Sequence, residues 1–348
     1  MKKTSGIIFL IILIVTSCNN HKNIPDVSGI KVNFTMERFD RDFFSIDSNN
    51  VLPGLNRLYE KYPLMTSIFL QNILGLDSMA TLPGVKRFLH VSRPVHDSIN
   101  MVFKNTEWLE KDFKTAFQYV KYYFPSYSLP KKIFTITGPM DALIPLSKSR
   151  TEYTPDFIGP DFLGISLQFY LGKNFSFYKD AWFMDNVAPG YRSRRFSKEF
   201  IVADALKLIV DDLFPDKSNG QSLINQMIER GKQWWLLDHF LPTTADSIKT
   251  GYTQLQLDWC RDNEGLIWNI ITQNEDLNTI NPTSIQTYIG EGPFTQGFSQ
   301  EYSPGNLGQW IGWQIVKKFA EKNPRLKPGE IMLTDAKKIL EEAKYKPK

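Results

Sequence analysis

The first eighteen residues constrain the rest of the chain more than any other feature. They read MKKTSGIIFLIILIVTSC: two lysines, an unbroken apolar run from Ile7 to Val15, then Thr16, Ser17 and Cys18. The run covers about half of the ~20 residues a helix needs to cross a bilayer, so it reads as a secretory h-region and not as a mature membrane span. An aliphatic residue, two small residues and Cys form the bacterial lipobox, in which only a thiolate can take up the diacylglyceryl group as a thioether. Residues 1–17 are therefore expected to be a lipoprotein signal peptide and Cys18 the lipidated first residue of the mature chain. The alternative is an ordinary signal peptide with an incidental Cys. Lipidation leaves Cys260 as the only other thiol, so an exported chain must stand on its packed core without an internal disulfide. Cys260 lies in LQLDWCRDNE with no histidine beside it, the setting of an inert, buried thiol.

The chain has the material for such a core. It has 348 residues, 42% hydrophobic and 14% aromatic, enough for one large domain or two small ones. Residues 18–28 read as anchor and tether and 29–348 as a single globular domain. Taking Lys2 and Lys3 from the 41 basic residues leaves 39 against 37 acidic ones, scattered along the chain, so no nucleic-acid footprint is expected. An acyl anchor also removes the need for a separate membrane-binding patch.

Periodicity assigns the elements. Ile30, Val32, Phe34 and Met36 alternate with polar residues, as in a half-buried strand. From Asn50 to Phe124 the period is helical, punctuated by prolines, with Leu109, Phe113, Phe117, Val120 and Phe124 on one stripe. KKIFTITG and FLGISLQFYLG read as strands, the second by strict alternation from Leu163 to Tyr170. SKEFIVADALKLIVDDLF reads as a helix capped by Ser197, with Ile201, Ala205, Leu208 and Ile209 facing the core. Residues 220–240 form a further helix stopped at Leu241-Pro242. TQLQLDWCRDNEGLIWNII opens with a capping box of Thr253 and Gln256. SPGNLGQWIGWQIVKKF is expected to start from Ser303 with Pro304 in the first turn, and it is apolar on nearly every side, which places it inside the domain. The fold class is α+β, mostly helical with a small β-sheet.

Few residues carry chemistry. The four histidines are His21, His90, His96 and His239, and Pro94 is expected to keep His90 and His96 off a shared helix face. No paired His/Cys spacing, nucleophile elbow or phosphate loop occurs, so neither a metal site nor a cofactor is expected. Carboxylates remain. Asp258, Asp262 and Glu264 fall on one expected helix, and Glu291 and Glu301 flank the loop GEGPFTQGFSQEYSPGNLGQW at 290–310. A carboxylate pair in a cleft could perform glycosidase-type acid–base work, against the plainer role of solvated or hydrogen-bonded side chains. The basic run Tyr191-Arg192-Ser193-Arg194-Arg195 could dock an anionic surface or simply lead into the next helix. In the 290–310 loop, glycine permits close backbone approach and aromatics offer flat apolar contacts. Glu291, Phe294, Phe298, Glu301, Tyr302 and Trp310 are accordingly candidates to line a cleft or a partner surface, with turn-making and core packing as the alternative.

The lipobox and several long blocks carry a resemblance: LGISLQFYLGKNFSFYKD, RFSKEFIVADALKLIVDDLFP, LLDHFLPTTADSIKTGYTQLQLDWCRDNEGLIW and YIGEGPFTQGFSQEYSPGNLGQWIGWQIVKKFAEKNP. In order, from leader to C-terminus, they resemble the gliding motility lipoprotein GldB family of Bacteroidota. The resemblance implies a lipid-anchored envelope protein required for surface gliding, with partners among the envelope proteins of the gliding and type IX secretion machinery. A second resemblance, to predicted zinc-dependent proteases, implies a degenerate zincin-like scaffold. In that comparison FLGISLQFYLG is the strand, FIVADALKLIV the active-site helix and IERGKQWWLLDHF the downstream helix. No histidine lies between His96 and His239, so the zinc motif is missing, with Glu229 its only relic. The resulting expectation is a non-catalytic binding protein. The alternatives are a carboxylate-dependent hydrolase of peptidoglycan or glycans and a ligand-binding lipoprotein. Asn19 follows the anchor Cys and NHKN lacks an acidic cluster, so a periplasm-facing anchor on the outer membrane is expected.

Overall fold

The computed structural model describes residues 24–146 and 153–347, so Cys18 and His21 lie outside the described residues. Six strands occur among the described residues: β1 Thr35–Glu37, β2 Lys132–Ile136, β3 Ile144–Pro145, β4 Tyr153–Thr154, β5 Phe157–Ile158 and β6 Phe162–Ser166. Four of them make a mixed sheet in the order β1-β2-β6-β5. The first two pairings are parallel and the β5–β6 pairing is antiparallel. β3 and β4 form a separate antiparallel ribbon. Eight helices of nine residues or more surround the sheet among the described residues: α1 Val51–Lys61, α2 Thr81–Val102, α3 Glu107–Tyr123, α4 Ile201–Leu213, α5 Leu223–Phe240, α6 Gln254–Asp262, α7 Glu264–Asn274 and α8 Leu307–Lys322. The protein is α+β and mostly helical, as its periodicity predicts.

Parallel neighbours require a crossover, and β1 reaches β2 through a helical excursion that includes α1, α2 and α3. Phe39, Phe43, Phe69, Phe134 and Phe162 knit this block to one face of the sheet. The larger core gathers α3, α4, α5 and α8, including the stripe Leu109, Phe113, Phe117 and Val120. α8 is buried on nearly every side, as its composition requires. Its Gly312 packs on the backbone of α5 at Met227, and Gly231 of α5 packs on Gly312 in return. A β-carbon at either position would overlap main-chain atoms, so the two helices approach this closely only because both residues are glycine.

Several local expectations fail for identifiable reasons. The alternating segment 163–170 is a strand only to Ser166 and then tightens into a 3-10 turn at Leu167–Phe169. β6 is buried on both faces because it sits between β2 and β5 under helices, so its polar residues are bonded internally and do not face water. The first strand is shortened to Thr35–Glu37, since a turn closes Ile30 onto Val27. α2 runs unbroken through Pro94, where the expectation was a break. His90 is exposed, whereas His96 is buried, stacked on Phe44 at 4.1 Å and bonded to Thr137 and Asn100. Burial lowers its pKa and holds it neutral. Ser197 makes no capping bond, because a 3-10 turn at Lys198–Phe200 precedes α4. Asp258 and Asp262 lie on α6 and Glu264 on α7, separated at Asn263. The Thr253–Gln256 capping box is present as read.

Candidate functional site

A partly enclosed cleft of about 110 Å³ lies where α4, α5 and the start of α8 meet the 191–196 segment and the β3–β4 ribbon. α4 contributes Asp204 and Lys207, and α5 contributes Gln233 and Trp234. The first turn of α8 contributes Gln309, and Tyr252 follows a left-handed Gly251 at the end of a short helix. Trp234 stacks edge-on against Tyr252 at 5.5 Å and Trp313 at 5.8 Å, fixing the apolar wall.

The opposite wall is basic. The short helical turn Gly190–Ser193 projects Arg192, Arg194 and Arg195 toward the cleft. Arg192 reaches Glu291 Oε2 through Nε at 3.0 Å and Nη2 at 2.5 Å, and Arg195 Nη2 donates to Glu291 Oε1. One carboxylate is thus held by two guanidiniums, and Arg192 also covers the Tyr153 ring. Arg194 Nη2 donates to the Gly251 carbonyl and to Gln256 Oε1, both at 3.0 Å. Burial, with the neighbouring Arg195, lowers its pKa. Asp204 pairs with Lys207 at 2.8 Å.

Beneath this wall lies an acid at its protonation threshold. Tyr170 Oη donates to Asp156 Oδ2 at 2.6 Å, and the Ser166 N–H donates to Oδ1 at 2.9 Å. Complete burial, reinforced by the charge of Asp204, pushes the Asp156 carboxyl up to about 8 despite those two bonds. The Tyr170 hydroxyl is raised as well, first by burial and then by the two carboxylates.

Of the six residues singled out in the 290–310 loop, Glu291 alone lines the cleft. Phe294 is half-buried, and Phe298 packs edge-on against Trp259 at 6.3 Å. Glu301 and Tyr302 are exposed away from the cleft. Trp310, 2% exposed, is a core residue of α8. The glycines here serve the loop itself. Gly305 lies against the backbone of Gly292, where a side chain would not fit, and Gly297 turns the tip at φ +86°. Thr295 Oγ1 donates to the Pro304 carbonyl at 2.9 Å and accepts from the Leu307 N–H at 3.3 Å. Ser303 and Pro304 are therefore taken up in closing the loop and do not cap a helix. α8 starts only at Leu307, behind a left-handed Asn306.

Other candidates fall elsewhere. Glu229 bonds Lys232 at 2.6 Å and does not line the cleft, and Glu264 accepts from Tyr345 at 2.6 Å. Cys260 is fully buried, and burial pushes its thiol well up. Among the described residues no three His, Cys, Asp or Glu side chains form a group able to hold a metal ion, and no helix is long and apolar enough to cross a membrane.

Fold and site together define a mostly helical α+β protein built around a cleft of paired charges. The family model described as gliding motility protein GldB matches residues 20–347, and the chain belongs to that family. No curated protein matches it, and neither does any solved structure, so the zincin-like expectation has no structural relative behind it.

Proposed function

We propose that this gliding motility protein is a non-catalytic, lipid-anchored component of the cell envelope, held through Cys18 and facing the periplasm from the outer membrane. It acts by binding other envelope proteins of the gliding and type IX secretion apparatus, and the cleft beside Glu291 is its contact site. The observation that carries this reading is the double clamp on Glu291. A carboxylate gripped by two guanidiniums is held in one position, as suits static recognition. Its imagined partner in hydrolysis, Glu301, does not line the cleft. The internal order also supports the reading: a buried strand, β6, leads to α4 and α5, and these helices build the cleft from residues without a zinc ligand set.

Crosslinking in intact cells, followed by extraction in mild detergent, is expected to recover other envelope components with the protein. Recovery of the protein alone would remove the partner-binding reading. Labelled palmitate is expected on the wild-type chain and absent from Cys18→Ala. Release of reducing sugar or peptide from peptidoglycan by the purified protein, lost in Glu291→Gln/Glu301→Gln, would establish the hydrolase instead.

A further inference from the structure

The cleft stands over a second titrating acid, and one phenol joins the two. Asp156, between β4 and β5, and Tyr170, after the 3-10 turn that ends β6, are both fully buried. Tyr170 Oη lies 2.6 Å from Asp156 Oδ2 and 3.4 Å from Asp204 Oδ2, and Asp204 Oδ1 accepts from Lys207 Nζ at 2.8 Å. Asp204 and Lys207 line the cleft, whereas Asp156 and Tyr170 do not. Four side chains thus make a chain of contacts from a sealed interior to the cleft wall. Asp156 meets Tyr170 from the turn after β6, and Asp204 with Lys207 behind it from α4. From β6 and β4 it meets neutral groups: its Oδ1 accepts from the Ser166 N–H, and its own N–H donates to Thr154 Oγ1. Across the cleft, Arg192 and Arg195 bond Glu291, and Arg194 bonds Gly251 and Gln256.

A phenol has one hydrogen and cannot donate to two carboxylates at once. At 2.6 Å the bond to Asp156 is made, whereas 3.4 Å is beyond a good O–H···O bond, so the hydrogen serves one acid at a time. An ionised Asp156 takes that hydrogen. A protonated Asp156 brings its own, donates it to Tyr170 Oη, and releases the phenol hydrogen to Asp204 Oδ2. We propose that Tyr170 relays one proton between Asp156 and Asp204, so that the ion pair of Asp204 with Lys207 in the cleft is set by the protonation of an acid that does not line it. The transfer balances. As the Asp156 proton passes to Tyr170 Oη, the phenol proton passes to Asp204 Oδ2 and from there to solvent in the cleft, leaving Asp156 ionised and Tyr170 neutral. Burial pushes the Asp156 carboxyl up to about 8, which brings the exchange within reach of mildly alkaline solution. With Asp156 protonated, Asp204 is shared by Tyr170 and Lys207; with Asp156 ionised, it is left to Lys207. Any guest that touches either cleft residue is then linked to uptake or release of a proton, so the inference does not depend on what the cleft binds.

The test is competitive acetylation of the full-length protein in mild detergent at a series of pH values, with labelling of Lys207 read by mass spectrometry relative to the exposed Lys337. Relative labelling of Lys207 is expected to fall about threefold or more through a midpoint near pH 8, as its carboxylate is no longer shared. Asp156→Asn keeps a neutral donor and acceptor in place and is expected to abolish the step. Tyr170→Phe leaves both acids but removes the hydroxyl between them, and is expected to abolish it too. Fluorotyrosine incorporated at position 170 retains the hydroxyl and covers the case in which the melting curve shows Tyr170→Phe to be unfolded. Its fluorine NMR signal is expected to shift at the same midpoint. Absence of the step in wild type, or its survival in Asp156→Asn, would overturn the proposal. So would a step retained by folded Tyr170→Phe, since the two acids would then act through space, or a fluorine signal unmoved across the step.

Discussion

Two charge clusters in this molecule are inversions of one another. In one, Lys249 sits between Asp238 and Asp246; in the other, Glu291 sits between Arg192 and Arg195. The lysine cluster is deep, with Lys249 4% exposed, and every surplus is met. Trp313 Nε1 donates to Asp238 Oδ2 at 2.9 Å, and Arg261 pairs with Asp246 at 3.1 Å. Burial alone would lower the Lys249 pKa, but Asp238 and Asp246 together outweigh it and the value is raised. That stabilisation is present through neutral pH and is lost only as pH climbs past the raised value. The glutamate cluster is half-buried on the wall of a cleft. A closed interior enforces complete pairing, whereas a charge on a cleft wall is also reached by solvent.

The comparison can be broken most severely on the buried side. Asp238→Ala leaves the Trp313 N–H unbonded and takes from Lys249 one of its two carboxylates, and is expected to cost about 3–5 kcal/mol, read by denaturant unfolding. A smaller effect tests the floor beneath the cleft. The folded pKa of Asp156, about 8, lies above the ordinary value of about 3.9, so the folded state holds a proton that the unfolded chain releases between those limits. Stability contributed by this group is full below about pH 4 and declines until about pH 8. Asp156→Asn, which mimics the neutral acid, is expected to flatten that decline and to stabilise the protein by roughly 2 kcal/mol at pH 9 relative to wild type. A stability profile unchanged by the substitution would show that Asp156 titrates alike in the folded and unfolded chain. Glu291→Gln takes from Arg192 and Arg195 the carboxylate they share and is expected to cost about 1–2 kcal/mol, reduced by high salt. Arg261→Gln removes a pair half open to solvent and is expected to cost about 0–1 kcal/mol; a larger loss would mean that the lysine cluster depends on its outermost member.

The two clusters also mark the boundary of what the sequence could disclose. α8 announces itself, because Leu307, Ile311, Ile315 and Phe319 recur at helical spacing among further apolar residues. The stripe of α3 and the Thr253–Gln256 box are equally local and equally legible. The Glu291 clamp joins residues 96 and 99 positions apart, and no period or spacing connects them. Arg192–Arg195 therefore reads as a free basic run when two of its members are already spoken for. Phe294 and Tyr302 were plausible cleft residues by type, but the loop's folding back on itself at Gly292 and Gly305 directs them elsewhere. Gln233 gave no signal at all, lying in a helix whose buried residues extend around its circumference. Pro94 misled for a different reason: a helix 22 residues long and packed on its neighbours absorbs one missing bond.

The pinch of Gly292 against Gly305, secured by Thr295, separates residues 296–302 from the cleft mechanically. That tip is a natural insertion point for an epitope tag or fluorescent reporter, since its exposed Gln296, Gly297 and Gln300 can lead into a graft without disturbing the neck. The same segment would then let the protein be tracked on a moving cell with its arginine wall left intact.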